Sequence, residues 1–259
     1  EPDISSPASP KESRNIRGHI EFRGVGLTYP DSGILALDGV DFTLEPGQTL
    51  AVIGRTGSGK STLAQLVARL YDPTEGHVLV DGVDLRERDL HGLRGAIGYV
   101  PQDVFLFSDT IRANIGFGVD DAEDAVIEQA ARDADVHDNI IGFPEGYATL
   151  LGERGVNLSG GQKQRVSIAR AILKRPRILI FDDCLSAVDT ETEATILGNL
   201  RRIMEGRTSI LISHRVSTVR SADLILVLDQ GRVVERGRHD ELIERDGLYA
   251  ELHRKQLRS

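Results

Sequence analysis

The 259-residue sequence has little cysteine, no long apolar run and no excess of positive charge. Its single cysteine, Cys184, excludes an internal disulfide, which favours a reducing compartment. Because Cys184 follows an apolar strand, we expect it to be a small, partly buried residue and not a reactive thiol. No apolar stretch is long enough to cross a bilayer, and no signal peptide is visible. The net charge of −9 argues against a broad nucleic-acid surface, so we expect no nucleic-acid partner.

What remains is the composition of an ordinary globular protein, with 40% hydrophobic and 27% charged residues. Residues 1–18 are rich in proline, serine and charge, which predicts a flexible linker, whereas residues 19–259 have the pattern of a folded domain. Because the sequence begins at Glu1 and not at methionine, we expect it to be a piece of a longer polypeptide, with any membrane part elsewhere.

Strand patterns occur towards both ends of the sequence and enclose a long stretch with helical periods alone. Alternating early strands beside apolar later ones suggest a mixed sheet. The expected strands are residues 19–25, 40–44, 49–53, 77–82, 96–100, 177–183, 208–213, 224–228 and 232–235. Helices are expected from near Asp120 or Asp121 and over residues 160–173, 191–204 and 240–257. Residues 103–175 therefore predict a helical subdomain inserted into a sheet domain.

A glycine-rich stretch between an apolar strand and a helical pattern fits the phosphate-binding sequence G-x-x-x-x-G-K-[ST]. It comprises Gly54, Arg55, Thr56, Gly57, Ser58, Gly59, Lys60 and Ser61, and Thr62 follows it. Glycines let backbone N–H groups surround an anion, and the helix N-terminus adds the positive end of its dipole. We expect Lys60 to reach the β- and γ-phosphates and the Ser61 hydroxyl to bind Mg²⁺.

Four polar residues follow strands beyond this loop. Asp182 ends a buried strand and in a nucleoside triphosphatase would hold Mg²⁺, while the adjacent Asp183 would polarise a water for attack on the γ-phosphate. His214 ends the next strand and is a candidate to contact the γ-phosphate or that water, although a lone histidine is usually structural. The amide oxygen of Gln102 is a candidate to complete the Mg²⁺ shell.

A second helix N-terminus carries Ser159, Gly160, Gly161 and Gln162. Ser159 is a plausible N-cap, and the two glycines expose N–H groups at the positive end of the helix dipole. One triphosphate does not need two such termini from one chain, so we expect the second to serve a nucleotide on another protomer. An ordinary capped helix would explain Ser159 but leave both glycines and Gln162 unexplained.

Taken in order, these motifs resemble the nucleotide-binding domain of ABC transporters, in the exporter branch, from about Gly18 onward. The matching elements are Tyr29 (A-loop), residues 54–61 (Walker A), Gln102 (Q-loop), residues 158–162 (signature), Asp182 (Walker B), residues 186–189 (D-loop) and His214 (H-loop). Residues 152–155 resemble the X-loop of exporters, and residues 107–115 resemble the segment that follows their Q-loop.

The resemblance implies an α/β fold, with a P-loop NTPase (RecA-like) core, an antiparallel β subdomain and an inserted helical subdomain. It implies two such domains, head to tail, with two ATP molecules and Mg²⁺ between them. Tyr29 would stack on adenine, Ser61, Gln102 and Asp182 would attend Mg²⁺, and residues 159–162 would close on the partner's γ-phosphate.

By the same resemblance, the domain would work at the cytoplasmic face of a membrane, such as a bacterial inner membrane. Its closing and opening would drive a transmembrane domain that lies upstream in the same polypeptide. The coupling helices of that domain would dock on the Gln102 loop and the nearby helical subdomain.

One departure from the family pattern concerns catalysis. The family usually has glutamate where this chain has Asp183, whose carboxylate falls short by ~1.5 Å at single-bond lengths. A displacement of about 1 Å can cost on the order of a hundredfold in rate. Cys184 and Leu185 also replace the more familiar Ala-Thr or Pro-Thr. The combination resembles the degenerate-site subunit of a heterodimeric exporter, whose intact signature completes the active site on the partner.

Three alternatives remain open. The first is a homodimeric exporter in which Asp183 works as the base. The second is a soluble ABC ATPase acting on DNA, against which the charge of −9 and the lack of a coiled-coil insertion argue. The third is a gating or regulatory module that binds ATP without transport.

Overall fold

The computed structural model describes residues 4–11, 15–152, 156, 158–184 and 190–257, which fold around two β-sheets. The described residues form ten strands: β1 (Ile20–Thr28), β2 (Leu35–Leu44), β3 (Thr49–Gly54), β4 (Glu75–Val80), β5 (Val83–Asp84), β6 (Ile97–Val100), β7 (Ile178–Asp182), β8 (Thr208–Ile212), β9 (Leu224–Asp229) and β10 (Arg232–Gly237). One sheet is antiparallel, in the order β2-β1-β4-β5, and the other has the order β10-β9-β3-β8-β7-β6.

Neighbouring strands of the six-stranded sheet are parallel from β9 to β6, and only β10 is antiparallel. The early strands form an antiparallel sheet of their own, as the family resemblance implied, because β1 pairs on both sides with other early strands, β2 and β4. The six-stranded sheet is the mixed one, since β10 runs antiparallel to β9.

The described α-helices connect or cover these strands. They are α1 (Lys60–Val67), α2 (Leu90–Gly95), α3 (Ile111–Gly116), α4 (Asp124–Asp133), α5 (His137–Ile141), α6 (Gly160–Leu173), α7 (Thr190–Met204), α8 (Val216–Val219), α9 (His239–Glu244) and α10 (Leu248–Gln256). Helices α3 to α6 occupy the region predicted to be helical, and both α3 and α4 pack on α6. None of the described helices is long and apolar enough to cross a membrane.

The central strands are buried on both faces, which explains their continuous apolar sequence. In β7, Ile178 and Ile180 join the apolar cluster shared with the antiparallel sheet and α1, whereas Leu179 and Phe181 join the cluster built on the helical region. This alternation follows from the two-residue period of a strand. The parallel sheet thus forms the middle layer, and the carboxyl ends of its strands meet at one edge.

Two helix boundaries differ from the sequence prediction. Helix α4 begins at Asp124 and not near Asp120 or Asp121, because Asp121 has a left-handed backbone (φ 51°) that no helix continues. The expected single helix over residues 240–257 is two helices, α9 and α10. The break falls at Asp246, which is also left-handed (φ 52°) and precedes a glycine.

The packed part of the chain begins before residue 19, where composition placed its boundary. Ile16 is only 4% exposed and belongs to the core shared with the antiparallel sheet. The Asp81 carboxylate accepts hydrogen bonds from the backbone N–H groups of Arg17 (2.7 Å), Gly18 (3.2 Å) and His19 (2.9 Å). Composition reports polarity but not these contacts with a distant loop. Residues 1–3 and 12–14 lie outside the described part.

Replacing Asp81 by alanine should lower the free energy of unfolding by about 1–3 kcal/mol, because backbone donors lose their acceptor. Asp81 also has a left-handed backbone (φ 49°), which alanine tolerates poorly. Asp81→Asn keeps one acceptor oxygen and tolerates this backbone, so it should lose less. Chemical denaturation of both variants checks this. An equal loss in the two would contradict the role of the side-chain acceptor.

Candidate nucleotide-binding site

The glycine-rich loop connects β3 to α1 and leaves no room for side chains at its two ends. Gly59 is the N-cap of α1 and has a left-handed backbone, with φ 98°. A Cβ atom on Gly59 would lie 2.4 Å from the Ala36 carbonyl oxygen, and one on Gly54 would lie 2.1 Å from the Leu228 carbonyl oxygen. Real Cβ atoms do not approach backbone this closely, so glycine is required at both ends of the loop. The backbone path that the sequence motif predicts is therefore fixed by neighbouring strands.

Lys60 is folded back onto the loop. Its Nζ donates to the carbonyl oxygens of Gly54 (3.0 Å) and Arg55 (2.8 Å), and the residue is only 5% exposed. Burial lowers the pKa of its ammonium group, while the nearby Asp183 and Asp182 act in the opposite direction. The Lys60 ammonium group is therefore held at the loop itself, by two of the loop's backbone carbonyl oxygens.

Asp182 lies at the carboxyl end of β7 and is buried between two hydroxyl donors. Its Oδ1 accepts from Ser61 Oγ at 2.9 Å, and its Oδ2 accepts from the Tyr99 hydroxyl at 3.2 Å. Burial raises the pKa of the Asp182 carboxyl, which the two hydrogen bonds oppose and the charge of Asp183 reinforces. This carboxylate therefore joins the first turn of α1 to the edge of the parallel sheet.

Tyr99 is a site residue that the sequence analysis missed. It lies on β6, the strand next to β7, and pairs there with Ile180. Burial, together with the negative charge of Asp182, raises the pKa of its phenol well above the usual range, so it stays a hydrogen-bond donor. The sequence did offer one signal for Tyr99: it lies one residue before the end of a predicted strand, near the sheet edge at which the acidic residues were expected.

Asp183 and His214 face each other across the ends of β7 and β8. His214 Nε2 lies 3.9 Å from Asp183 Oδ2, which is ion-pair range but too long for a hydrogen bond. Asp183 has a left-handed backbone (φ 45°), a region in which aspartate is enriched, and its N–H donates to the Ile212 carbonyl at 2.9 Å. Burial raises the pKa of the Asp183 carboxyl, while His214 and Lys60 act against that change.

Most of the predicted site residues line one open cavity of about 430 Å³. It also includes apolar residues that sequence reasoning did not select, among them Ile34 and Leu35, whose exposed fractions are 61% and 55%. Gly54 and Arg55 belong to the loop but do not line the cavity. Its described lining is Tyr29, Ile34, Leu35, Ala36, Thr56, Gly57, Ser58, Gly59, Lys60, Ser61, Thr62, Gln102, Asp182, Asp183, Ile212 and His214.

Tyr29 is held against α1 by its hydroxyl group. It shares a hydrogen bond of 2.9 Å with Thr62 Oγ1 and donates to Gln65 Oε1 at 3.2 Å. The Tyr71 ring meets it edge to face, with 5.2 Å between ring centroids. These contacts fix the position of the Tyr29 ring, which lines the cavity together with Ile34.

The second predicted anion site is not part of this cavity. Ser159 caps α6, because its Oγ accepts from Gln162 N at 3.2 Å while Gln162 Oε1 accepts from Ser159 N at 2.9 Å. This reciprocal pair is a capping box. The sequence argument that capping leaves Gln162 unexplained is therefore wrong, since the cap uses its side chain. Gly160 and Gly161 remain without a role in the described contacts of this cap.

Two further predicted motifs lie wholly or mostly outside the part of the chain that the structure describes. The predicted D-loop, residues 186–189, lies outside the described residues, as does most of the predicted X-loop, residues 153–155.

Comparison with known proteins agrees with this geometry. A sequence profile described as ABC transporter matches residues 37–186. The ATP-dependent lipid A-core flippase of Chromobacterium violaceum is 47% identical over 253 residues, which cover 98% of this chain and 43% of the flippase. ATP-binding cassette sub-family B member 6 of Xenopus tropicalis is 49% identical over 239 residues, which cover 92% of this chain and 28% of that protein.

A solved structure of a bacterial Atm1-family ABC exporter with ATP bound has a TM-score of 0.90 and 44% identity to this chain. The match covers 98% of this chain and 45% of the exporter chain, so the chain spans less than half the length of each of these relatives. The sheets and helices described above are those of the P-loop NTPase fold. The chain belongs to the ABC transporter family, as a nucleotide-binding domain of the kind found in its exporters.

Proposed function

We propose that this chain is the ATP-hydrolysing domain of an ABC exporter and powers transport by ATP-driven dimerisation. The observation that carries the proposal is the 430 Å³ cavity, which brings the phosphate-binding loop together with Asp182, Asp183 and His214. The N-terminus of α6 does not line that cavity, which supports a site completed by a second domain. The names of the relatives, a lipid A-core flippase and an Atm1-family exporter, support export as the direction.

The residues present fit a nucleoside triphosphate. Ser58 Oγ is buried in the loop with no hydrogen-bond partner among the described residues, and a Cβ on Gly57 would meet open space. An anion bound in the loop would accept a hydrogen bond from the Ser58 hydroxyl. It would also accept from the Lys60 ammonium group, in place of the carbonyl oxygens to which Lys60 now donates. Tyr29 and Ile34 line the same cavity and offer aromatic and apolar surface for adenine.

The residues also fit Mg²⁺, through the oxygen ligands that this ion prefers. Ser61 Oγ and the Asp182 carboxylate already lie within 2.9 Å of each other, and Gln102 lines the same cavity. A bound Mg²⁺ would neutralise phosphate charge and let the buried carboxylates remain ionised. We assign Ser61, Gln102 and Asp182 to the metal, with Tyr99 orienting the Asp182 carboxylate.

In this proposal Asp183 receives a proton from the attacking water, and His214 contacts the γ-phosphate or that water. Asp183 is shorter than the glutamate usual in the family, which supports a degenerate site with slow hydrolysis. The signature residues Ser159, Gly160, Gly161 and Gln162 would then complete a faster site on a different subunit.

The proposed partners are a second nucleotide-binding domain, in a heterodimer, and a transmembrane domain upstream in the same polypeptide. The domain would then lie at the cytoplasmic face of a membrane, such as a bacterial inner membrane. A homodimer with Asp183 as a working base is the second candidate, and the 3.9 Å approach of His214 to Asp183 favours it.

Asp183→Glu should raise ATP turnover of the full transporter by on the order of 10- to 100-fold, because the longer side chain moves the carboxylate towards the water. The measurement is the steady-state rate of phosphate release with both subunits present. Asp183→Asn is the matched control and should not raise turnover, since the amide accepts no proton. Folded stability is followed in parallel, because glutamate must also adopt the left-handed backbone.

Replacing the Walker B glutamate of the partner by glutamine should abolish turnover if the subunits differ. Turnover by this chain alone at a rate that Asp183→Glu does not increase would instead support the homodimer. It would contradict the degenerate site.

Gly59→Ala should destabilise the domain by about 1–3 kcal/mol more than Gly57→Ala, because only the first brings a Cβ into contact with backbone. Both positions are left-handed, with φ 98° and 77°, so the backbone strain of alanine is similar and cancels in the comparison. Chemical denaturation measures the difference. Gly59→Ala should also weaken ATP binding at least tenfold relative to the parent, and equal stability of the two variants would contradict the close approach.

A further inference from the structure

Helix α10 contacts two loops that belong to the candidate site. At its last residue, Gln256 Oε1 accepts a hydrogen bond from Val216 N at 2.7 Å, and Gln256 Nε2 donates to the His214 carbonyl oxygen. One carboxamide therefore bridges the backbone on both sides of Arg215, directly beside the histidine of the site. These partners are 40 and 42 residues away in the sequence, so no local pattern predicts the bridge.

The contact with Val216 completes a helix end. Val216 is the first residue of α8, whose N-cap residue Arg215 makes no side-chain capping bond. The first N–H groups of a helix lack partners within the helix, so an outside acceptor stabilises this turn. Gln256 supplies that acceptor, and the same side chain donates to the carbonyl of His214, the residue before the N-cap.

The other end of α10 is firmly anchored. The Glu235 carboxylate accepts from the backbone N–H groups of Leu248 and Tyr249, the first two residues of the helix. Tyr249 is completely buried, and its hydroxyl lies 2.8 Å from His239 Nδ1. With a rise of 1.5 Å per residue, α10 extends roughly 12 Å from this anchor to Gln256. Gln256 is thus held by a rigid element and not by a loose tail.

A second contact joins α10 to the phosphate-binding loop. Glu251 Oε1 lies 3.7 Å from Arg55 Nη2, and both side chains are about half exposed. Exposed ion pairs contribute little because water and salt screen them. The bridge made by Gln256 is therefore the stronger of the two connections between α10 and the site.

We propose that α10 positions His214, and that Gln256 is the positioning residue through which it acts. We call α10 in this role a strut, meaning a rigid helix that holds the backbone of residues 214–216 in place. The His214 side chain is 42% exposed, and its Nε2 lies 3.9 Å from Asp183 Oδ2, beyond hydrogen-bond distance, so the position of the imidazole depends on how the His214 backbone is held. Fixing the His214 carbonyl and the following helix sets the direction in which the imidazole leaves the backbone. The catalytic consequence rests on the proposed ATPase function, whereas the strut itself does not.

The test uses the full-length transporter with its partner subunit and three variants of α10. Gln256→Leu removes both hydrogen bonds, and Gln256→Glu keeps the acceptor for Val216 but loses the donor to His214. Arg254→Leu is the matched control, because it places the same apolar side chain on an exposed position of α10 whose ion-pair partner, Asp246, does not line the cavity. We expect Gln256→Leu to lower kcat for ATP about five- to fiftyfold with KM for ATP within about twofold, Gln256→Glu to fall between, and Arg254→Leu to match the parent.

Hydrogen exchange in the same proteins gives a readout that does not depend on activity. Amides of residues 214–219 should exchange at least tenfold faster in Gln256→Leu, with the rest of the domain unchanged. An unchanged kcat together with unchanged exchange would overturn the strut, as would faster exchange spread evenly over the whole domain. If the parent hydrolyses no ATP, the proposed function fails, and local exchange at residues 214–219 still decides whether Gln256 holds the His214 loop.

Discussion

The buried carboxylate of Asp182 holds the candidate site together. It accepts hydrogen bonds from Ser61 on α1 and Tyr99 on β6, so three elements meet at one acidic group. The Ser61 and Asp182 positions are 121 residues apart, and burial around them removes water that would otherwise weaken the contact. The phosphate-binding loop is therefore fixed to the sheet edge by polar contacts as well as by the close approach of Gly54 and Gly59 to neighbouring strands.

The charges of the site are arranged so that a ligand would improve them. Burial raises the pKa of Asp182 and Asp183 and lowers that of Lys60, which means that each charged form is disfavoured by its surroundings. A bound magnesium nucleotide would bring compensating charge to both the acids and the lysine. A ligand that supplies this charge is a physical reason for a folded domain to keep Asp182, Asp183 and Lys60 buried in one place.

Local sequence signals predicted the elements that carry most of the site. Continuous apolar runs identified the buried strand that ends at Asp182, and the capping residue Ser159 identified the start of α6. The failures also have local physical causes. The left-handed Asp121 delays the start of α4, and the left-handed Asp246 separates α9 from α10, although periodicity alone predicts helix at both positions. Ile16 packs into the core from a segment of polar composition.

The sequence by itself determined the order, spacing and chemical type of the phosphate-binding loop, the acidic pair and His214, because these depend on residue identity along the chain. Only the tertiary structure decided that Tyr99 supports Asp182, that Gln256 bridges the His214 backbone, and that the N-terminus of α6 lies outside the cavity. The reason is that such contacts join residues tens of positions apart, and their geometry is set by how strands and helices pack, which no local period or motif encodes.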